Sequence, residues 1–410
     1  MVGNGADSDG FVVRVGGKSL LFAGAGTQVD SDLVQGPYTV ELADLAGNCA
    51  TDTSSAFVTV TDTTKATVNL TVECYGDFAY TTTDASEKST VNYLDATGHT
   101  SQLYAGPEFA AVRDWSPNGA YALLQRLDEE GRSTIWIAAP NGNFTRGLST
   151  TTVGAWNTAA SFSPDGSRIM YTDLSHGAQL RLTDVHGTFD RPLFADSTVF
   201  ENGWGSWSPD GSHIAFLTDR FGRLPEVGAV RADGTGATPL TTQGLGSASA
   251  TGWSPDGQFI AATVATTAVP FAQFIALIPA GGGAVVEALA NPVLFGNSDD
   301  FSWAPDGTGL ATTGQDSLAT PRVVIVHRDG SAPAVAGASL EFSMQPNWSK
   351  DGARILFLGA LASTGGRTWI FVAHPDGTHV HPVVQGALLG PNFPVWNRAA
   401  TPGMHDRDPH

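Results

Sequence analysis

The sequence has 410 residues, of which 15 % are charged, and 40 acidic residues against 21 basic ones give a formal charge of −19. Such a surface repels phosphate backbones and anionic membranes, so the composition argues against nucleic acid as a partner. No run of about 18 apolar residues occurs, and the sequence therefore predicts no membrane span.

Residues 1–75 predict a small N-terminal β-sandwich. Four strand-like runs (FVVRV, YTVEL, FVTVT and ATVNLTVE) alternate with turns rich in Gly and Asp, which is typical of antiparallel strands. The two cysteines of the chain, Cys49 and Cys74, both lie in this segment. A pair confined to one short segment predicts a disulfide, an oxidising compartment and a stabilisation of about 3 kcal/mol.

Residues 77–398 predict a repeat domain, which a tail over 399–410 follows. The pentapeptide WSPDG and its near-copies recur six times, with spacings of 47, 45, 46, 50 and 45 residues between the opening aromatic residues. These residues are Trp115, Phe162, Trp207, Trp253, Trp303 and Trp348, and a degenerate seventh copy holds Trp396. A period in the forties with short strand-like runs is typical of β-propeller blades.

The phase of the repeat predicts how the ring closes. The first repeat starts at Phe78 without a leading Trp strand, and the last one ends at Trp396. We therefore expect the strand with Trp396 to complete the first blade, because closure joins the two ends of what would otherwise be an open stack of sheets. The resulting prediction is an all-β, seven-bladed propeller, with six blades as the alternative if the degenerate ends form no blade.

The motif itself predicts a turn. Pro presets φ, Asp accepts hydrogen bonds from nearby backbone and Gly accepts positive φ. We expect the Trp before the turn to pack between neighbouring blades. The repeated Asp165, Asp210, Asp256, Asp306 and Asp351 are accordingly interpreted as turn formers, and Asn118 takes their place in the first copy.

Six tandem copies of this motif resemble the TolB-like, WSPDG-repeat propellers of bacterial envelope proteins. That resemblance implies a protein-binding platform, in a protein that is secreted, periplasmic or at the cell surface. Related propellers also occur on prolyl oligopeptidases and in oligogalacturonate lyases. The N-terminal segment resembles, more loosely, the immunoglobulin-like or carbohydrate-binding-like modules of bacterial surface proteins.

Patterns of known catalytic chemistry are missing from the sequence. It holds no GxSxG, no P-loop, no HExxH and no CxxC, so an enzyme is not the first expectation. One metal pattern stands out, because His374, His379 and His381 flank a Gly turn and three imidazoles can bind a divalent cation. No cofactor is otherwise expected, and surface histidines are the alternative interpretation.

A second candidate site is the mouth of the central channel, in the loops before the innermost strands that lead into each Trp. Carboxylates and aromatic rings there would suit a peptide, a sugar or a cation. The residues are Trp156, Glu201, Trp204, Asn297, Asp299, Asp300, Glu341 and Asn392. Three functions stay open: a protein-interaction module that could associate with itself, a metal-assisted polysaccharide lyase or glycan hydrolase, and a glycan-binding surface protein.

Overall fold

The computed structural model describes residues 11–22, 33–43, 49–51, 55–61, 68–70, 72–84, 88–128, 130, 132–143, 145–148, 157–175, 177–194, 202–221, 226–241, 247–265, 273–283, 285–287, 301–364, 367–384 and 394–397. The regular elements among these residues are β-strands and one 3-10 turn, Ala362–Thr364, which turns and irregular segments connect. Within them, no helix is long and apolar enough to cross a membrane.

The N-terminal segment forms one four-stranded antiparallel sheet and a two-stranded one. In spatial order, the strands of the larger sheet are Lys18–Phe22, Phe11–Val15, Gly36–Ala43 and Ser55–Val60. The smaller sheet pairs Cys49–Ala50 with Glu73–Cys74. A sandwich needs two facing sheets, so over the described part of this segment the sandwich stays a prediction.

The predicted disulfide between Cys49 and Cys74 is confirmed, and the strand Glu73–Cys74 also contacts the repeat domain through Glu73. Glu73 accepts hydrogen bonds from Tyr75 Oη (2.6 Å) and pairs with Arg354 Nη2 at 2.9 Å. Burial and the neighbouring Glu73 carboxylate raise the pKa of Tyr75. The disulfide therefore holds its loop directly beside an ion pair with the repeat domain.

Seven further sheets follow, each with four antiparallel strands. Their first strands are Phe109–Trp115, Asn157–Phe162, Asn202–Trp207, Ser247–Trp253, Phe301–Trp303, Phe342–Trp348 and Val395–Trp396, and we number the sheets 1 to 7 in this order. Their second strands are Ala122–Leu127, Ile169–Asp173, His213–Thr218, Phe259–Ala265, Gly309–Gln315, Ile355–Ala360 and Phe78–Thr83.

The two outer positions in each sheet complete this pattern. The third strands are Ser133–Ala138, Gln179–Thr183, Glu226–Arg231, Gln273–Pro279, Pro321–His327, Thr368–Ala373 and Ser89–Leu94. The fourth strands are Thr145–Gly147, Asp190–Pro192, Thr238–Pro239, Val286–Glu287, Ala334–Ala336, His381–Val384 and Thr100–Gly106. The predicted all-β propeller fold is confirmed, and seven sheets of four strands match the seven-blade interpretation better than the six-blade one.

Sheet 7 joins the two ends of the repeat domain. Trp396 pairs with Phe78 and Val395 pairs with Ala79 in an antiparallel register. Beside this pair, Asn397 N donates to Asp77 O at 2.6 Å, and Tyr93 Oη donates to the Asp77 carboxylate at 2.8 Å. The strand with Trp396 thus supplies the first strand that the first repeat lacks.

The aromatic residue that opens each motif packs between its own sheet and the preceding one. Trp115 of sheet 1 lies in one apolar cluster with Tyr93 and Leu103 of sheet 7. Likewise, Trp207 of sheet 3 lies with Met170 of sheet 2. Because such rings bury large apolar areas where sheets meet, the repeated aromatic residue holds neighbouring sheets together.

The pentapeptide forms the predicted turn between the first and second strands. In the third copy, the Asp210 carboxylate accepts hydrogen bonds from Ser208 Oγ (2.6 Å), Ser212 Oγ (2.8 Å) and Ser212 N (3.0 Å), and Gly211 has a φ of 69°. In the first copy, Asn118 accepts the equivalent bonds from Ser116 Oγ and Ala120 N. The shared geometry supports the interpretation of these residues as turn formers.

These bonds predict a dependence of stability on pH. The hydrogen bonds from Ser208 and Ser212 lower the pKa of Asp210 to about 2, below its usual 3.8. Because the folded state holds the ionised form more tightly, this stabilisation is present above about pH 4 and is lost as pH falls towards 2. The variant Asp210→Asn should keep the turn, as Asn118 does in the first copy. We expect its free energy of unfolding, measured by urea titration, to change less between pH 4 and pH 2 than that of the wild type. An unchanged slope would contradict the assignment.

Candidate functional site

A cavity of about 680 Å³ lies where the first strands of the seven sheets converge. Its volume is in the range of about 300–1,000 Å³ that small-ligand sites occupy. The residues that line it include aromatic ones from sheets 2 to 7: Phe162, Trp204, Trp207, Trp253, Phe301, Trp303, Trp348 and Trp396. Polar residues such as Ser206, Thr251 and Asn347 line it as well, so the wall offers both apolar and hydrogen-bonding groups.

The turns of the pentapeptide also line this cavity, which the turn interpretation had not predicted. The prolines of the first five copies contribute: Pro117, Pro164, Pro209, Pro255 and Pro305. Proline has a rigid ring and no backbone N–H, so these residues present apolar surface. The motif therefore forms the corner of each sheet and also part of the cavity wall.

Hydrogen bonds between neighbouring first strands fix the shape of this wall. In four sheets, the side chain that precedes the aromatic residue accepts a bond from a backbone N–H of the next sheet. The pairs, donor first, are Phe162 N to Asp114 Oδ2 (2.9 Å), Trp253 N to Ser206 Oγ (2.9 Å), Trp348 N to Ser302 Oγ (3.0 Å) and Trp396 N to Asn347 Oδ1 (3.1 Å). These bonds set the stagger between sheets.

Three first strands carry the same distortion at the same place. Ala159, Trp204 and Gln345 have φ values of 50°, 49° and 58°, and each lies three residues before the aromatic residue of its motif. The register with the second strand shifts around each of them, which describes a β-bulge. Left-handed backbone at residues other than Gly costs about 1–3 kcal/mol. Two of these strained residues, Ala159 and Trp204, lie at the cavity wall.

The charged side chains among the described lining residues are Arg113, Asp114 and Lys350. Asp114 is buried and its Oδ2 receives the bond from Phe162 N. Arg113 Nε donates to Gln125 Oε1 at 2.6 Å, and Gln125 Nε2 donates to the buried Ser133 Oγ at 2.6 Å. This chain of hydrogen bonds holds the guanidinium of Arg113 in a defined position at the wall.

Sequence reasoning missed Arg113, although the repeats contain a signal for it. In the other motif copies, the residue two positions before the aromatic one is Ala160, Gly205, Thr251, Phe301 or Pro346. None of these is charged, so aligning the repeats singles out Arg113. The shift in register at Val112 and Asp114 leaves Arg113 as the extra residue of a bulge, and that displacement is a tertiary feature.

Of the predicted mouth residues, the structure places two. Trp204 lines the cavity, whereas Glu341 is exposed and lies outside the cavity lining. The other six lie outside the described residues: Trp156, Glu201, Asn297, Asp299, Asp300 and Asn392. The mouth as a ligand site therefore stays a prediction.

The three-histidine metal site stays a prediction over the part of the chain that the structure describes. There, no group of three or more His, Cys, Asp or Glu side chains is arranged to hold a metal ion. His374 and His379 do come together, but their rings stack face to face with centroids 4.1 Å apart. Stacking aligns ring faces, whereas a shared metal needs nitrogen lone pairs that converge on one point.

His374 has a different environment from the one that was expected. Its Nε2 lies 3.8 Å from Glu73 Oε2, at the contact with the disulfide loop. Burial, together with the positive charge of Arg354 and the nearby His379, lowers the pKa of His374. His381 lies on the fourth strand of sheet 6, paired with Val372.

Comparisons with known proteins identify the fold. No protein-family profile and no curated protein matches the chain. Among solved structures, an oligogalacturonate lyase from Vibrio parahaemolyticus is 12 % identical, with a TM-score of 0.53 over 75 % of this chain and 85 % of that chain. A puromycin-hydrolyzing peptidase from Mycobacterium tuberculosis is 15 % identical, with a TM-score of 0.54 over 76 % of this chain and 53 % of that one.

A TolB structure from Acinetobacter baumannii is also similar, at 16 % identity over 79 % of this chain and 82 % of that chain, with a TM-score of 0.47. A further oligogalacturonate lyase match is a complex with manganese. At these identities the likeness concerns the fold alone. The activities of those proteins therefore do not transfer to this chain.

Proposed function

We propose that this chain is a non-enzymatic binding module of the bacterial cell envelope or surface, and that it holds a protein partner at the propeller cavity. The observation that carries the proposal is the cavity of about 680 Å³, whose lining includes aromatic and proline residues. Aromatic residues are enriched where proteins bind one another, because they bury much area at a small entropic cost.

The cellular compartment of the protein is part of the same proposal. The bond between Cys49 and Cys74 indicates folding in an oxidising environment, since cytosolic proteins rarely keep structural disulfides. A secreted, periplasmic or surface protein fits this feature. We further propose the boundaries 1–75, 77–398 and 399–410 for the N-terminal module, the propeller and the tail, and self-association as one form of the interaction.

The test places a tryptophan at the cavity and compares peptide binding with that of a variant that has a tryptophan at a site outside the cavity. Lys350 is exposed at the cavity, and Lys88 is exposed on a hairpin of sheet 7. A random 12-residue peptide library is selected on the wild type, and the affinities of the selected peptides are measured for Lys350→Trp and Lys88→Trp. We expect Lys350→Trp to weaken binding at least about 10-fold, because an indole would occupy the cavity, and Lys88→Trp to bind as the wild type does.

Equal affinity of both variants would place binding outside the cavity and contradict the proposal. Size-exclusion chromatography over a range of concentrations tests self-association separately. The likeness in fold to oligogalacturonate lyases makes a lyase the second candidate. Unsaturated products from polygalacturonate, formed in a metal-dependent reaction, would favour that candidate, and binding of neutral glycans without turnover would favour a glycan-binding protein.

A further inference from the structure

A second cavity, of about 500 Å³, lies between the motif turns of sheets 5 and 6, and we call it the slot. Its lining includes two exposed acidic residues, Asp306 of sheet 5 and Asp351 of sheet 6. Pro305 and Trp348 line both the slot and the central cavity, so the two cavities adjoin. The slot is therefore a separate candidate site beside the one described above.

The matching position between sheets 4 and 5 is occupied by an arginine side chain. Arg328 lies on the hairpin between the third and fourth strands of sheet 5, and its Nη1 donates to Asp256 Oδ2 at 2.6 Å and to Gly307 O at 2.8 Å. Its guanidinium carbon lies 4.4 Å from the centroid of the Phe259 ring. Asp256 and Gly307 belong to the motif turns of sheets 4 and 5, so one guanidinium bridges the two turns.

A guanidinium also lies between sheets 2 and 3, where sheet 2 supplies it. Arg168 Nη1 donates to Ala232 O at 3.0 Å, and its guanidinium carbon lies 4.9 Å from the centroid of the Trp207 ring. Arg168 stands six residues after the aromatic residue of its motif, which is the position of Phe259 in sheet 4. Ala232 has the hairpin position in sheet 3 that Arg328 has in sheet 5. Either of two positions can thus supply the guanidinium.

Between sheets 5 and 6, neither of these positions holds an arginine. Residues 327–330 of sheet 5 read HRDG, whereas the matching residues 374–377 of sheet 6 read HPDG, so Pro375 replaces the arginine. Six residues after Trp303 stands Gly309. Both replacements line the slot, and neither proline nor glycine has a side chain as long as that of arginine. The slot therefore lies where other pairs of sheets hold a guanidinium of the chain.

The residues that contact a guanidinium elsewhere have counterparts at the slot. Asp306 takes the motif position of Asp256, and Trp348 takes that of Trp207. Asp306 Oδ1 accepts bonds from Thr308 N at 2.9 Å and Thr308 Oγ1 at 2.7 Å, and these bonds lower the pKa of Asp306. Its Oδ2, the oxygen that binds arginine in Asp256, receives no bond from the residues that the structure describes.

We propose that the slot binds the guanidinium of an arginine side chain from a protein partner. A guanidinium is planar, so it can pair with a carboxylate and stack on an aromatic ring, whereas a lysine ammonium has no planar face. Free arginine fits less well, because its own carboxylate would be repelled by Asp306 and Asp351. This site goes beyond the proposed function, since it does not depend on what occupies the central cavity.

The test compares a capped arginine tripeptide, acetyl-Gly-Arg-Gly-amide, with its citrulline counterpart, which has a neutral urea of similar shape. Affinities for the full chain are measured by NMR titration. We expect the arginine peptide to bind about 10-fold more tightly than the citrulline peptide, and Asp306→Asn to remove this difference. Asp210→Asn makes the same change in a motif turn outside the slot and should bind as the wild type does.

A second variant supplies the guanidinium from the chain itself. Pro375→Arg places an arginine at the hairpin position of Arg328, in a turn that already accepts arginine in sheet 5. We expect this variant to lose binding of the arginine peptide at least about 10-fold, because its own side chain fills the slot. Pro375→Gln, which adds a neutral side chain at the same position, should keep most of the affinity.

Three results would overturn the assignment. The first is equal binding of the arginine and citrulline peptides, or of the arginine peptide and its lysine counterpart. The second is binding that survives both Asp306→Asn and Pro375→Arg, which would place the peptide elsewhere on the acidic surface. The third is free arginine that binds as tightly as the capped peptide, which would make the ligand a small molecule. The proposed function is judged separately, by the effect of Lys350→Trp.

Discussion

Replacing Trp115 with alanine should lower the free energy of unfolding by about 3–5 kcal/mol, the usual cost of truncating a large buried aromatic residue. Trp115 is fully buried between sheets 7 and 1, in one cluster with Tyr93 and Leu103. Its ring packs against Tyr93 with centroids 5.1 Å apart. The loss arises because the cavity left by the ring would lie between two separate sheets, which cannot both close over it.

The measurement is urea-induced unfolding of the variant beside the wild type. Phe57→Ala provides the control, because Phe57 is 87 % exposed on the N-terminal sheet and such positions usually change stability by less than about 0.5 kcal/mol. A change at Trp115 no larger than the one at Phe57 would show that the aromatic residues of the motif do not hold neighbouring sheets together.

Removal of the strand Val395–Trp396, which closes the ring, should also lower the stability strongly. A chain that ends at residue 393 lacks Val395 and Trp396, so the edge of Phe78–Thr83 that pairs with them becomes unpaired. Loss of the buried Trp396 side chain alone should cost about 3–5 kcal/mol. The open edge should also promote association between molecules, since an unpaired strand offers its N–H and C=O groups to another chain.

A chain that ends at Asn397 is the matched control, because it keeps the bond from Asn397 N to Asp77 O. We expect its midpoint of thermal unfolding to match that of the full chain, while the shorter chain unfolds earlier and scatters light at lower temperatures. Identical unfolding of the two truncated chains would show that the pairing of Trp396 with Phe78 contributes little to stability.

The local turns of the site could be predicted from the sequence, whereas the contacts between its sheets could not. The motif predicted the turn at Asp210 because those bonds join residues two positions apart. The bonds from one sheet to the next, such as Trp348 N to Ser302 Oγ, join residues 46 positions apart. No local pattern reports such a contact, although Ser302 directly precedes a motif. Spacing along a hairpin likewise placed His374 near His379 but did not determine how their rings are oriented.

The sequence by itself determined the turns, the strands, the disulfide and the order in which the ring closes. Each of these follows from a period, a residue type at a fixed position or a count, and such features act over a few residues or repeat along the chain. The tertiary structure alone decided that five prolines and aromatic residues of six sheets line one cavity, and that Arg113 stands in its wall on a bulge held by Gln125. A cavity is formed by strands that come from seven separate sheets, so its lining depends on how those sheets are staggered, and the contacts that set the stagger lie between residues far apart in the chain.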